Sequence, residues 1–421
     1  MNSRYESNAY RRYVLGVLTF VYAVNFIDRQ LLSILQESIK LDLGLSDTQL
    51  GLLTGFAFAI FYVLAGIPIA RLAERSNRRN IIAGSIGIWS IMTAVSGLAG
   101  NYWQLFMARI GVGVGEAGCS PPAHSIISDI YPPHQRASAL SFYSSGVNVG
   151  IMLGILFGGF INEYFGWRVA FFVVGLPGVI VALILQFTVD EPMRGWSEKT
   201  VSEEKPADLK VVIKFIAERK YLVHISIAAG LSGLVGYGLI NWMPSFFIRA
   251  YGMSTSEISV WMAVGVGLFG ALGTFGWGVM CDRLGKSDKR WYLWLPALAV
   301  FMVIVPVLII FTTHDKYTAL IASLFTSFFT TAYLGATLAI FHGAVELRMR
   351  ATASALYFLI LNIVGLGCGP SLIGIISDLL NDRYGVDSLR YAILCVVPIA
   401  CVWAMVHFLI AAKAMHEHEG S

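Results

Sequence analysis

The sequence is short of charge. Asp, Glu, Lys and Arg make up 13% of its 421 residues, against the roughly 25% usual in a soluble domain. Hydrophobic residues make up 56%, and mean hydropathy is +0.68. A chain this apolar is not a disordered one. Its five cysteines, Cys119, Cys281, Cys368, Cys395 and Cys401, form no CxxC pair. They sit in or beside apolar runs, which excludes a secreted disulfide scaffold and reads as reduced fillers. So apolar and charge-poor a composition also excludes a nucleic-acid binder, and the net charge of +4 matters less than where the charges sit. No Ser/His/Asp or Cys/His set is arranged for catalysis. His124, His224, His342 and His407 lie in or near apolar runs without a His or carboxylate at ligand spacing. We therefore expect no enzyme, no cofactor and no metal. No cleavable leader is expected, because the first apolar run, from near Tyr13, is too long for one.

What the sequence has is long apolar runs. They fall at 13–36, 48–71, 80–99, 102–130, 137–162, 167–189, 222–248, 257–281, 291–312, 317–343, 352–378 and 390–412. Each is long enough to cross a bilayer as a helix. Pro121, Pro122 and Pro177 lie inside runs, where proline marks a bend. The reading is an all-α integral membrane protein of twelve transmembrane helices. A hydrophilic linker, 190–221, separates a six-helix half at 1–189 from another at 222–421.

Lys and Arg alternate between loops. One side carries Arg4, Arg11 and Arg12, then Arg71, Arg75, Arg78 and Arg79, then Arg136, the linker, and Arg283, Lys286, Arg348, Arg350 and Lys413. The other carries only Lys40, Arg168, Arg249, Lys316, Arg383 and Arg390. Positive charge stays inside, so both termini are expected in the cytoplasm.

The halves repeat each other. Glu74-Arg75 and Asp282-Arg283 are 208 residues apart. Arg136, Tyr143 and Asn148 recur 214 residues later as Arg350, Tyr357 and Asn362, and RASA at Arg136 recurs as RATA at Arg350. Such duplication belongs to carriers that rock two halves about a midplane site.

Four ionisable residues fall inside the apolar runs of the first half. Asp28 and Arg29 come about 22 Å along their helix, and Glu116 about 21 Å into its own. Charges at such depth cost roughly 2.5–3.5 kcal/mol each and normally pair and face a cavity. Asp28 and Glu116 are the expected proton carriers. Arg29 is expected to support Asp28 until a substrate anion or Glu116 draws it away. Arg109 precedes Glu116 by seven residues, nearly two turns, so both point the same way; it binds an anionic head group or pairs with an acid. A static ion network that fixes helix packing is the alternative.

GVGVGEAG around Gly113 is no nucleotide loop, since it follows no strand and lies inside a span. Gly146, Gly150, Gly154 and Gly158 form a small-residue ladder for close helix contact. Glu74, Arg75, Arg78, Asp282 and Arg283, with Arg136 and Arg350, suit a cytoplasmic gate that breaks on opening; plain positive-inside anchoring is the alternative.

These features resemble the major facilitator superfamily. ARLAERSNRR, Ala70 to Arg79, is a degenerate form of that family's loop signature GxLaDRxGRR, with Ala70, Glu74 and Asn77 in place of its first Gly, Asp and second Gly. GVMCDRLGK, Gly278 to Lys286, is a cleaner copy, and RIGVGVGEA, Arg109 to Ala117, is similar to the span-four motif. NFIDRQLLSIL, Asn25 to Leu35, and GEAGCSPPAHSIISDIYPPHQRASALSFY, Gly115 to Tyr143, are similar to Spinster-type transporters. That resemblance implies lysophospholipid or sphingosine phosphate transport, with proton coupling in some members. The same Asp-Arg and Gly-Glu-Ala also resemble sugar-acid:proton symporters.

The second half adds apolar and aromatic residues with few polar ones. Its cavity candidates are Asn241, Trp242, Tyr333, Tyr357 and Asn362, beside Asn25, Tyr143 and Asn148 of the first half. One charged wall and one apolar wall suit an amphiphile with an anionic head. A sugar acid would want hydrogen bonds on both. The expectation is a monomeric carrier of an amphiphilic anion in a bacterial inner membrane, its partners being the substrate, protons and membrane lipids. Sugar-acid symport is the alternative. A drug exporter fits less well, because Arg29 adjoins the buried acid, and a receptor needs no duplicated gate loops.

Overall fold

A computed structural model describes residues 3–197 and 208–419; of the linker at 190–221, residues 198–207 lie outside the described residues. Among the described residues there is no strand. The helices are α1 (Asn8–Leu43), α2 (Asp47–Thr54), α3 (Phe56–Arg75), α4 (Arg78–Ser96), α5 (Tyr102–Glu116), α6 (Ser120–Ile130), α7 (Pro133–Phe165), α8 (Trp167–Thr188) and α9 (Leu209–Glu218). Then come α10 (Lys220–Tyr251), α11 (Thr255–Val264), α12 (Gly270–Gly285), α13 (Trp291–Met302), α14 (Ile304–Thr312) and α15 (Lys316–Thr330). Last are α16 (Tyr333–Ala344), α17 (Leu347–Ile360), α18 (Gly369–Tyr384) and α19 (Ser388–Glu419). Nine helical segments among the described residues are long and apolar enough to cross a membrane.

Local chemistry sets the helix ends. Ser46 and Gln49 form a reciprocal capping box at the start of α2. Asn77, Asn101 and Asp315 each accept a backbone N–H in the first turn of the helix that follows, meeting donors that helix starts leave orphaned. Gly44 and Gly252 close α1 and α10 at φ 63° and 64°, a left-handed conformation that favours glycine.

Several apolar runs are broken rather than continuous. The run at 102–130 stops at Glu116 and resumes at Ser120. Pro121 and Pro122 cause this, since proline has no N–H and its ring collides with the carbonyl four residues earlier. Pro68, Pro177, Pro244, Pro296 and Pro398 also lie inside helices, so proline bends are commoner than Pro121, Pro122 and Pro177 alone suggest. Wider π turns at Gly265–Phe269 and Leu361–Cys368 interrupt two further runs.

The described chain divides into two compact units. Unit 1 holds Met1–Leu45, Ala57–Glu203 and Ser254–Ala263, and unit 2 holds Ser46–Phe56, Glu204–Met253 and Val264–Ser421. By this division α2, from the first repeat, packs in unit 2, and α11 up to Ala263, from the second repeat, packs in unit 1.

Within unit 1 the Gly146–Gly158 ladder of α7 lies on α1. A Cβ at Gly154 would meet the Ile27 carbonyl oxygen at 2.7 Å, and one at Gly150 would meet Phe26 Cβ at 2.7 Å. These glycines bring α7 against the stretch of α1 that carries Asp28 and Arg29. Gly154→Leu should cost about 1–3 kcal/mol by overpacking, read as a lower apparent Tm in detergent; an unchanged Tm would mean that α1 shifts without penalty.

Candidate functional site

Unit 1 brings its four intramembrane charges together. α1 supplies Asp28 and Arg29, and α5 supplies Arg109 and Glu116. Residues i and i+1 on a helix do not face each other, so Asp28 and Arg29 diverge and take different partners. Arg29 Nη2 lies 2.6 Å from Glu116 Oε2, and Arg29 Nε donates to the same oxygen at 3.1 Å. Arg109 Nη1 lies 3.5 Å from Asp28 Oδ1, and the Thr93 hydroxyl of α4 donates to Asp28 Oδ2. Arg109 thus pairs with Asp28, a partnership beyond the expected neighbour Arg29, whose own ion pair is with Glu116. Asp28, Arg109 and Glu116 are buried.

Aromatic rings wall the network. The Arg29 guanidinium lies 4.6 Å from the Phe26 ring centre, 4.7 Å from Phe58 and 5.2 Å from Tyr62. Such faces attract a cation while excluding water. Glu116 is the last residue of α5, and its second carboxylate oxygen is Oε1. That atom is buried and has no hydrogen-bond partner among the described residues. Asn25 is buried and accepts weakly from Arg29 Nη2 at 3.5 Å. Thr93, Phe58 and Tyr62 were not legible as site residues. Phe58 and Tyr62, four apart, do signal one helix face.

The remaining candidates scatter. Tyr143 is fully buried and stacks on Tyr22 at 4.4 Å, whereas Asn148 is exposed. In unit 2, Asn241 donates to the Tyr237 carbonyl of its own helix, and the fully buried Trp242 donates to the Pro370 carbonyl. The hydroxyl of buried Tyr357 meets Thr337 at 2.7 Å. Asn362 donates to Phe358 O one turn back, and Tyr333 is half-buried. Trp242 and Tyr357 are thus held by packing partners of their own. His224 and His407, expected without histidine partners, meet at 2.7 Å between Nδ1 atoms; they come from α10 and α19, too far apart in sequence for spacing to reveal.

The arginines of the loop side divide. Arg78 is fully buried, ion-paired with Asp129 and with Glu191 at 2.7 Å, and donates to Ser125 and to the Pro192 carbonyl. All these partners belong to unit 1. Arg136 Nε donates to the Ser128 and Tyr131 carbonyls, closing the end of α6. Arg350 Nε donates to the His342 carbonyl at the end of α16. Both arginines reach back eight residues, so the repeat extends to this helix cap. Glu74, Arg75, Asp282 and Arg283 are exposed, and Asp282 accepts from the Tyr292 hydroxyl at 2.7 Å.

Comparison with known proteins gives this arrangement a setting. The sequence profile of the Major Facilitator Superfamily matches residues 18–286 and 225–420. A protein of Mycolicibacterium smegmatis described as an MFS-type efflux pump is 32% identical over 407 residues, 95% of this chain and 92% of that one. A hexuronate transporter of Bacillus subtilis is 27% identical over 285 residues, 66% of each chain. Among solved structures, a bacterial homolog of the human lysosomal transporter Spinster, in an inward-facing and unoccupied conformation, superposes with a TM-score of 0.84 at 34% identity. That superposition covers 97% of this chain and 96% of the other.

Proposed function

Because this chain belongs to the Major Facilitator Superfamily and resembles Spinster homologs, we propose that it is a proton-linked, alternating-access carrier of an amphiphilic anion such as a lysophospholipid. In this reading the broken runs join into twelve spans: α2 with α3, α5 with α6, α11 with α12, α13 with α14, α15 with α16 and α17 with α18 each form one. Both termini are cytoplasmic, and the exposed Glu74, Arg75, Asp282 and Arg283 take part in the cytoplasmic gate.

The observation that carries the reading is the crossed pair of ion pairs. Two carboxylates and two guanidiniums buried in one apolar unit are costly to keep, and intramembrane charge of this kind marks substrate and proton paths. Arg29 is held by Glu116 through a single oxygen. An anionic head group competes for the same guanidinium, and when it wins, Glu116 loses its counter-charge and takes up a proton. Asp28 answers in the same way when Arg109 is drawn off. Substrate binding and protonation are coupled by competition for arginine. In unit 2, Trp277 packs with Phe328 and Phe329, and Phe341 with Tyr357; an apolar, aromatic second half suits a hydrocarbon chain better than sugar hydroxyls.

The test is uptake in proteoliposomes under an imposed pH gradient, with labelled lysophospholipid and labelled hexuronate offered to the same vesicles. Lysophospholipid movement should respond to the gradient, and Asp28→Asn or Glu116→Gln should abolish that response while the protein stays folded. Wild-type pH dependence in either variant removes the proton role. The likeness to a Bacillus subtilis hexuronate transporter favours a second reading, a sugar-acid:proton symporter. Saturable hexuronate uptake without protein-dependent lysophospholipid movement would establish it in place of the first.

A further inference from the structure

We propose that residues 3–13 form a strap that keeps the segment after α8 docked, and that releasing the strap unfastens the Arg78 junction through that segment. Ser3–Glu6 makes one 3₁₀ turn before α1. Tyr5 is fully buried, whereas Arg4, Glu6, Ser7, Asn8 and Ala9 are exposed. Aromatic rings carry a large burial energy, so a single plugged ring holds this stretch in place.

The strap grips backbone. α8 ends at Thr188, where a helix leaves carbonyl groups unpaired. The Tyr10 hydroxyl donates to the Thr188 carbonyl at 3.1 Å and accepts the Asp190 N–H at 2.8 Å. The Tyr5 hydroxyl donates to the Asp190 carbonyl, and the Tyr13 hydroxyl donates to Thr188 Oγ1 at 2.6 Å. Arg4 lies 3.6 Å from the Asp190 carboxylate. The rings also meet one another. Tyr5 lies edge-on to Tyr10 at 5.0 Å and 6.1 Å from Trp196, whose ring centre is 5.8 Å from the Arg11 guanidinium.

The same segment carries a second set of ties. Glu191 accepts from the Arg78 guanidinium at 2.7 Å and from the Arg79 N–H at 2.9 Å, and the Pro192 carbonyl accepts from Arg78 at 2.9 Å. Arg194 donates to the Ala73 carbonyl at 2.6 Å. The Gly195 N–H donates to Asp129 Oδ1 at 2.9 Å, and the Ser197 N–H to the Asp129 carbonyl at 2.9 Å. All these residues belong to unit 1. Residues 188–197 thus join the start of α1 to the end of α3, the start of α4 and the end of α6.

The first set gives way before the second. Residues 4–9 bury one side chain, and the Tyr13 bond is exposed; few buried contacts and exposed hydrogen bonds mark a segment that opens at low free energy. Arg78 is fully buried. Asp190 and Glu191 are neighbours in the chain, so backbone freed at 188–190 no longer positions the Glu191 carboxylate or the Pro192 carbonyl for Arg78. Nor does the second repeat carry a copy: 208 residues on from Tyr5 and Tyr10 stand Ile213 and Glu218. The strap is therefore no requirement of the duplicated fold, and its docking sets whether the Arg78 junction holds.

Backbone hydrogen exchange of the full chain in lipid nanodiscs reads this coupling without any substrate. Tyr10→Phe removes one hydroxyl and should raise exchange in 188–192 about fivefold, the effect of one net hydrogen bond. Exchange should rise by a similar factor in 78–82, at the start of α4, which the substitution does not touch. Tyr5→Ala should raise both further. Exchange in 388–412 should match wild type in each variant. A rise confined to 3–13 and 188–190, or no rise, would overturn the strap. A rise throughout, 388–412 included, would overturn it too, because the tyrosines would then support global stability alone. If Tyr5→Ala fails to fold, Tyr10→Phe decides.

Discussion

Arg109→Leu is expected to lower stability by about 3–5 kcal/mol, the cost of leaving one member of a buried ion pair uncompensated. Arg109 and Asp28 are each 2% exposed. Without the guanidinium, Asp28 keeps the Thr93 hydroxyl as its one hydrogen-bond donor among the described residues, and a buried carboxylate with one neutral donor is poorly solvated. The double variant Asp28→Leu/Arg109→Leu should recover most of the loss, because apolar residues of similar volume replace buried ion pairs with little penalty or a gain. Neither variant should transport. Thermal unfolding in detergent checks the first statement and proteoliposome uptake the second. A single variant as stable as wild type would show that Arg109 is not the counter-ion of Asp28. A fully active double variant would reduce that pair to packing and leave Arg29 and Glu116 to act alone.

Arg78→Ala should be the most damaging change outside the membrane interior. One guanidinium ties the start of α4 to Ser125 and Asp129 on α6 and to Glu191 and the Pro192 carbonyl in the segment after α8. The acids retain some solvent, with side chains 15% and 23% exposed, so the expected loss is about 2–4 kcal/mol. Arg78→Lys should rescue little, because a single ammonium cannot satisfy four acceptors spread around a planar fork. The measurement is apparent Tm beside limited proteolysis at 190–197, which should be cut faster in both variants. A lysine variant with wild-type Tm would mean that charge alone, rather than the fork, holds this junction.

The sequence was most informative where chemistry is expensive. Asp28, Arg29, Arg109 and Glu116 stand out because an ionised group in an apolar run demands an explanation. The Gly146–Gly158 ladder stands out because only close packing explains four glycines one turn apart. Which acid meets which arginine was not legible, because it depends on the rotation of α1 against α5 and on Thr93 from α4, whose lone hydroxyl carries no distinctive pattern. Arg78 read as a gate residue beside Glu74 and Arg75, and its side chain is buried against two acids, Asp129 and Glu191, more than 50 residues away in sequence. The strap tyrosines were missed for the opposite reason. Tyr5, Tyr10 and Tyr13 precede or open the first apolar run, where an aromatic residue is ordinary, and only contact with the distant segment 188–190 distinguishes them.

The exchange of α2 and α11 between the units sets an order of assembly during synthesis. Asp47 is made early, but its partner Arg249 follows 202 residues later. At roughly 5–20 residues per second, that is about 10–40 seconds of translation. Unit 1 likewise lacks Ser254–Ala263 until the second repeat has begun to emerge. Neither unit can be completed from the first repeat alone, so Asp47 meets Arg249 and Ser377 only after the second repeat has been made.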